Sequence, residues 1–317
     1  MCETLYLVIP CYNEEEVLPE TSKRLKIKIR DMIVQKLISK NSKVFFVDDC
    51  SKDNTWEIIK QLHEENGLFS GLSLAHNSGE QNAYIAGMMT VKEYADMVIT
   101  MDADLQDDID AIDKMVIEYY AGNDIVYGVR SSRKNDSFVK RFPAKGFYKL
   151  MKMLGTELIP DHSQYRLMSR RAIEALSGYS EVNLFLPALI PLLGFKNSVV
   201  FYERKERFAG KSKYSFWKLL SIFTEAITSF SLKPIHFINS TGVLFLLICL
   251  GILIYSLVQA IAGQAVGWLL VLASVWAVGG AMLLALGVVG EYVGKTYFET
   301  KQRPRYFISE SFLDEHE

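Results

Sequence analysis

A chain of 317 residues and 36.0 kDa has room for one large domain with an appendage, or for two domains. A net charge of -2 and a pI near 6.3 exclude the strongly basic balance of a nucleic-acid binder, so no nucleic-acid partner is expected. The four cysteines, Cys2, Cys11, Cys50 and Cys249, form no CxxC and no close pair, which argues against a disulfide framework or a zinc cage and suits a reducing compartment.

Leu5 to Ile9 is a short apolar run ended by Pro10 and predicts a buried strand. It is too short for a signal peptide, so the N-terminal part is expected in the cytoplasm. Residues 14–38 carry apolar positions at helical spacing. Val44 to Val47 predicts a second strand, followed by Asp48-Asp49 and a helix over residues 51–66, with Asp53 or Asn54 near its cap. Leu72 to Ala75 predicts a third strand, residues 79–95 a helix, Met97 to Met101 a fourth strand and Ile125 to Gly128 a fifth. This order predicts an α/β domain with a mostly parallel sheet, whose ligands bind at the carboxyl ends of the strands.

After about residue 235 the chain changes character. Segments 235–261 and 267–289 contain no Asp, Glu, Lys or Arg, and each exceeds the roughly 20 residues that cross a bilayer core. The short connection between them predicts a two-helix transmembrane hairpin. Lysines 211, 213, 218 and 233 precede the first segment, and Lys295, Lys301, Arg303 and Arg305 follow the second. The positive-inside rule therefore puts both outer ends, and the first 230 residues, on the cytoplasmic side. Between body and hairpin, Phe216, Trp217, Leu219, Leu220, Ile222 and Phe223 sit beside Lys218 and Glu225, which suits an amphipathic helix in the membrane interface or a helix packed on the body. Gly251, Gly279, Gly280, Gly287 and Gly290 suit close helix packing and a homo-oligomer.

Chemistry-bearing residues collect after the strands. Asp102 and Asp104 frame one residue at a strand end, where two carboxylates can reach one hard cation such as Mg2+ or Mn2+, with Gln106 as a neutral oxygen nearby. Asp49 can accept from a ribose or a base N–H. Pro10, Tyr12, Asn13 and Glu14 follow the first strand at the same edge. Arg130, Arg133 and Arg166 follow in the body, and Arg204, Arg207, Lys211 and Lys213 come just before the apolar segments. Arginine suits bidentate contact with phosphate oxygens, while the last cluster also suits anionic lipid.

In order, the motifs are Val8-Ile9-Pro10-Cys11-Tyr12-Asn13-Glu14-Glu15, Val47-Asp48-Asp49-Cys50-Ser51-Lys52-Asp53, Asn77-Ser78-Gly79 and Met101-Asp102-Ala103-Asp104-Leu105-Gln106. Tyr165-Arg166-Leu167-Met168-Ser169-Arg170 and Arg207-Phe208-Ala209-Gly210-Lys211-Ser212-Lys213-Tyr214 follow. With these, nearly the whole chain resembles the family 2 glycosyltransferases, in the branch of dolichyl-phosphate mannosyltransferases and bactoprenol glucosyltransferases. The resemblance implies a GT-A catalytic domain over residues 1–214, a juxtamembrane helix over 215–233, a hairpin over 234–293 and a cytoplasmic tail over 294–317.

It also implies an inverting, metal-dependent transfer from a nucleotide-sugar, UDP-linked by analogy, to polyprenyl (undecaprenyl) phosphate at a multi-pass cytoplasmic membrane protein. Pro10, Tyr12, Asn13, Glu14 and Asp49 would hold the nucleotide. Asp102 would serve ribose and metal, and Asp104 and Gln106 the metal. Arg130, Arg133, Arg207, Lys211 and Lys213 would hold phosphates. Asp104, Arg130, Arg133, Gln164 and Arg166 are the catalytic candidates, and a lipid-sugar flippase or a downstream transferase is an implied partner. The chain departs from the pattern at Gln164, where an Asp is common, and at Glu80, where a basic or imidazole residue is usual. A processive polysaccharide synthase ranks low because no QxxRW occurs. The alternative from another class is a non-catalytic membrane protein that binds nucleotide-sugars or scaffolds a partner.

Overall fold

The computed structural model describes residues 2–131, 162–181, 186–203 and 268–313, with single positions between 238 and 262. Its elements are β1 (Leu5–Cys11), α1 (Leu18–Val34), β2 (Lys43–Asp48), α2 (Thr55–Glu65), β3 (Phe69–Leu74), α3 (Glu80–Val91), β4 (Met97–Thr100) and α4 (Ala111–Tyr120). They continue with β5 (Ile125–Arg130), β6 (His162–Ser169), α5 (Arg170–Ser177), α6 (Leu186–Leu192), β7 (Asn197–Tyr202), α7 (Trp268–Lys301) and β8 (Ile308–Phe312).

The eight strands form one sheet in the order β7-β5-β6-β4-β1-β2-β3-β8. The pairs β1–β2, β1–β4, β2–β3 and β5–β7 are parallel, so the sheet is mostly parallel, as expected. Strands covered on both faces read as continuous apolar runs, which is why Leu5 to Ile9 and Val44 to Val47 are legible. On one face Leu7, Ile9, Phe46 and Ile99 pack with Leu25 and Ile29 of α1, Ile59 of α2 and Met115 of α4. On the other face α3 approaches closely at Gly87, where an added Cβ would lie 2.4 Å from Val8 Cγ1 and 2.8 Å from Val47 Cγ2.

The register aligns the functional ends. Cys11 pairs with Asp48, and Val8 pairs with Thr100, so β1, β2 and β4 finish at one edge. Strand β6 runs antiparallel between β4 and β5, with Arg166 opposite both Thr100 and Tyr127. Its start, with Gln164 two residues in, therefore lies at the edge where its neighbours end.

Several boundaries differ from the sequence expectation. The first helix begins at Leu18 rather than residue 14, because Asn13 to Glu15 bond to the 51–55 loop and Pro19 sits in the first helical turn. The third strand is Phe69–Leu74 rather than 72–75. Gly71, a weak strand former, is required there: an added Cβ would meet the Phe46 carbonyl oxygen at 2.7 Å. Strands β6, β7 and β8 have no counterpart in the sequence reading.

Residues 268–289 of the second apolar segment lie within α7, which extends past residue 289 to Lys301. Within it, Ala277–Lys301 is long and apolar enough to cross a membrane, with a mean hydropathy of 1.6, and it is the one such helix among the described residues. The first apolar segment lies mostly outside the described residues, and residues 215–233 lie wholly outside them. Helix α7 belongs to a different compact unit from the sheet. The stretch expected as a tail supplies β8, antiparallel to β3. There Phe312 stacks between Trp56 and His63, with ring centroids 5.2 Å away in each case, and Trp56 Nε1 donates to Glu310 Oε2 at 3.1 Å.

Candidate active site

Four loops meet at the carboxyl edge of the parallel strands. The loops after β1 and β2 are laced together: Asn13 N donates to Ser51 Oγ (3.0 Å), Lys52 N to Asn13 Oδ1 (2.8 Å) and Glu14 N to Thr55 Oγ1 (2.8 Å). The Asn13 side chain thus holds the 50–55 loop, and Pro10, Tyr12 and Glu14 stand half-buried beside it. Three of the five described non-glycine residues with positive φ, Asn13 (54°), Cys50 (58°) and Leu105 (58°), fall in these loops, a concentration of backbone strain at one edge.

Asp49 joins the second loop to the third. Its Oδ1 accepts from Ser78 N (2.7 Å) and its Oδ2 from Gly79 N (3.0 Å). Gly79 has φ 87°, so the chain can turn there into α3. Burial raises the Asp49 pKa, and the two backbone donors oppose that rise. Cys11 is buried, and burial pushes its thiol well above the ordinary range, reinforced by the negative charges of Glu14, Asp48 and Asp53; it is an inert core residue.

The fourth loop, after β4, carries the acidic motif. Its residues alternate: Met101, Ala103, Leu105 and Asp107 are buried, while Asp102, Asp104, Gln106 and Asp108 are half-exposed. The expected metal ligands are therefore presented on one side. Four hydroxyls fasten the loop from below. Tyr84 donates to Asp102 Oδ1 (2.7 Å), Thr21 to the Ala103 carbonyl (2.7 Å), Tyr202 to Asp107 Oδ1 (2.5 Å) and Tyr165 to the Asp108 carbonyl (3.0 Å). Asp104 Oδ1 accepts from Gln106 N at 3.1 Å. Among the described residues no group of three His, Cys, Asp or Glu side chains converges to cage a metal. Two carboxylates on an open loop instead fit a hard cation that completes its shell with phosphate oxygens.

The cations are placed unequally. Burial pulls the Arg130 pKa down, but its hydrogen bond with Tyr202 and the charges of Asp107 and Asp102 outweigh this and hold the guanidinium charged. Arg166 is 1% exposed and donates to Gln164 Oε1; burial lowers its pKa to about 10, which still leaves it charged near neutral pH. It supports Gln164 from within the sheet. Thr100 Oγ1 also donates to the Gln164 carbonyl, at 2.5 Å. Asp107 is buried, and burial together with the charge of Asp102 raises its pKa to about 7. Arg133, Arg207, Lys211 and Lys213 lie outside the described residues. The sequence reading missed Tyr84, Tyr165 and Tyr202, whose partners are 18, 57 and 95 residues away in the chain.

Residues 6–177 match glycosyl transferase family 2. The chain belongs to this family. The match covers all four loops of the edge just described, and the enzyme is a glycosyltransferase with a GT-A-like, mostly parallel α/β fold. It is 46% identical over 312 residues to the glycosyltransferase YkoT of Bacillus subtilis (strain 168), covering 98% of this chain and 93% of that one. It is 37% identical over 308 residues to a prophage bactoprenol glucosyl transferase homolog of Escherichia coli (strain K12), covering 95% and 97%. It is also 37% identical over 305 residues to the bactoprenol glucosyl transferase of Shigella phage SfX, again covering 95% and 97%.

A cavity of about 560 Å3 lies at the opposite edge of the sheet, lined by Glu3, Asp96, Asp124, Arg170 and Arg171 among others. Its charges pair with one another, Arg170 with Asp96 at 3.1 Å and Arg171 with Asp124, so it reads as a structural buttress.

Proposed function

We propose that this glycosyltransferase moves a sugar from a UDP-linked donor to polyprenyl (undecaprenyl) phosphate, with inversion, at the cytoplasmic face of a membrane that it enters through a two-span hairpin. The observation that carries this reading is the outward presentation of Asp102, Asp104 and Gln106 in a chain alike, over nearly all its length, to bactoprenol glucosyl transferases.

In the reaction, an oxygen of the lipid phosphate forms a bond to the anomeric carbon as the bond from that carbon to the nucleoside diphosphate breaks. The departing diphosphate keeps the electron pair. The acceptor is already ionised near neutral pH, so no strong base is required, and an amide at Gln164 is chemically sufficient. Asp102, Asp104 and Gln106 would hold Mg2+ or Mn2+, which when bound neutralises charge on the diphosphate. Tyr84 fixes one oxygen of Asp102 through its hydroxyl. Arg130 adds a fixed positive charge where negative charge develops, with no reorganisation at the moment of reaction. Asp49 holds the 77–79 loop, and Pro10, Tyr12 and Glu14 form the nucleotide wall beside it.

The test is incubation of membranes containing the full chain with labelled UDP-glucose or UDP-N-acetylglucosamine and Mg2+ or Mn2+, then analysis of the extracted lipid. Label in polyprenyl phosphate-linked sugar, lost in Asp104→Ala, is expected. Intact protein that labels no lipid with any supplied sugar nucleotide would refute the acceptor assignment.

A further inference from the structure

Strand β7 enters the site through one residue. Tyr202, its last, is 3% exposed, and its ring meets Tyr165 edge-on at 5.3 Å and 85°. Its hydroxyl donates to Asp107 Oδ1 at 2.5 Å, and the Arg130 charge acts on the same pair. Asp107 lies on the buried side of the acidic loop, one residue after Gln106 and two after the left-handed bend at Leu105. Among the described residues, Asp107 Oδ2 and Arg130 Nε are buried atoms with no hydrogen-bond partner. The phenol thus donates to a buried carboxyl whose other oxygen is unpaired, beside a buried guanidinium, and such groups are costly to leave unpaired.

We propose that Tyr202 is a positioning residue for sugar transfer: its hydroxyl fixes Asp107 beside the buried Arg130, so that the outward carboxylates of the acidic loop and the Arg130 charge serve the same diphosphate. The assignment rests on the glycosyltransferase reading of that loop. Bonding Asp107 to a tyrosine already packed on Tyr165 fixes the one buried carboxylate of the loop between its anchors at Ala103 and Asp108. Aromatic packing accounts for the Tyr165 contact but not for the hydroxyl, which a phenylalanine would lack at almost no change in volume.

The experiment uses the purified full chain as wild type, Tyr202→Phe, Asp107→Asn and the double variant. Mn2+ binding in the presence of UDP is followed by electron paramagnetic resonance, alongside the thermal midpoint and steady-state transfer kinetics. Tyr202→Phe is expected to weaken Mn2+–UDP binding about tenfold and to lower kcat about 10- to 100-fold, the loss of a hydrogen bond to a charged group, with little change in the KM of the lipid acceptor. Asp107→Asn should give a similar loss, and Tyr202→Phe made in that background should cost less than about threefold more, because the two residues act as one unit.

Wild-type binding and kcat in Tyr202→Phe would overturn the proposal, as would equal losses in both backgrounds. If Tyr202→Phe proves too unstable to assay, the Asp107→Asn measurement decides in the same way. Wild type that binds Mn2+–UDP but transfers no sugar to polyprenyl phosphate would sink the acceptor assignment alone, with Tyr202 still judged on binding. Wild type that binds no Mn2+–UDP sinks both.

Discussion

The Tyr84 hydroxyl sits 2.7 Å from Asp102 Oδ1, joining the first turns of α3 to the acidic loop after β4. Burial, with the charges of Asp102 and Glu80, pushes the Tyr84 pKa well above its ordinary value, so the phenol remains a donor at any working pH. Tyr84→Phe should therefore lower kcat about tenfold or more while the fold survives. Steady-state transfer rates with a matched thermal melt check this; unchanged rates would remove Tyr84 from the site.

Gly87 lies one turn beyond Tyr84, where α3 touches β1 and β2. Gly87→Ala places a methyl within 3 Å of Val8 and Val47, in a core with no room to give. A loss of about 1–3 kcal/mol is expected, with activity falling as Tyr84 is displaced. The thermal midpoint of the purified protein measures it.

Asp49 uses both carboxylate oxygens on Ser78 N and Gly79 N. An asparagine side chain at this position would keep one acceptor and turn an NH2 against the other N–H. Asp49→Asn should loosen the 77–79 loop and weaken UDP binding about tenfold. Calorimetric titration with UDP would show it, and an unchanged affinity would confine Asp49 to loop structure.

Asp124 provides the pH prediction. Hydrogen bonds from Arg171 and then Ser169 hold its carboxyl below the ordinary range, despite burial acting the other way. A carboxyl whose pKa is lowered on folding contributes stability that is present above about pH 4 and is lost as pH falls through the folded value. Asp124→Asn should thus cost stability at pH 7 and progressively less below pH 4. Melting curves of both proteins across that range should converge; parallel curves would count against the linkage.

Phe312 closes the sheet edge from β8. Phe312→Ala removes its stacking on Trp56 and His63 and should cost about 1–2 kcal/mol, with Trp56 becoming more solvated. Tryptophan emission shifted to longer wavelength, with an earlier melt, is the expected pair of results.

The first five strands were legible because their apolar runs end in turn or polar residues, and the acidic motif because its carboxylates follow such a run. Strand β6 was hidden by Arg166, a charge that is buried against the usual expectation and bonded to Gln164. Strand β8 was hidden because Ser309, Glu310 and Ser311 show no alternation at an exposed edge. The tyrosine anchors of the acidic loop were unreadable for a different reason. A buried aromatic looks like core filling until the fold brings its hydroxyl to a partner far away in the chain. Asn13 is the reverse case: a polar residue in a binding-loop motif, whose side chain is spent on the Lys52 backbone.

The pairing of β3 with β8 also fixes an order of events during synthesis. The edge of β3 must wait for a strand made roughly 230 residues later, a delay of about 10–50 s at ordinary ribosome speeds. All of α7 emerges in that interval. The open edge of β3, Phe69–Leu74, is then available to other chains. The nascent chain is thus exposed at an edge that the finished molecule covers.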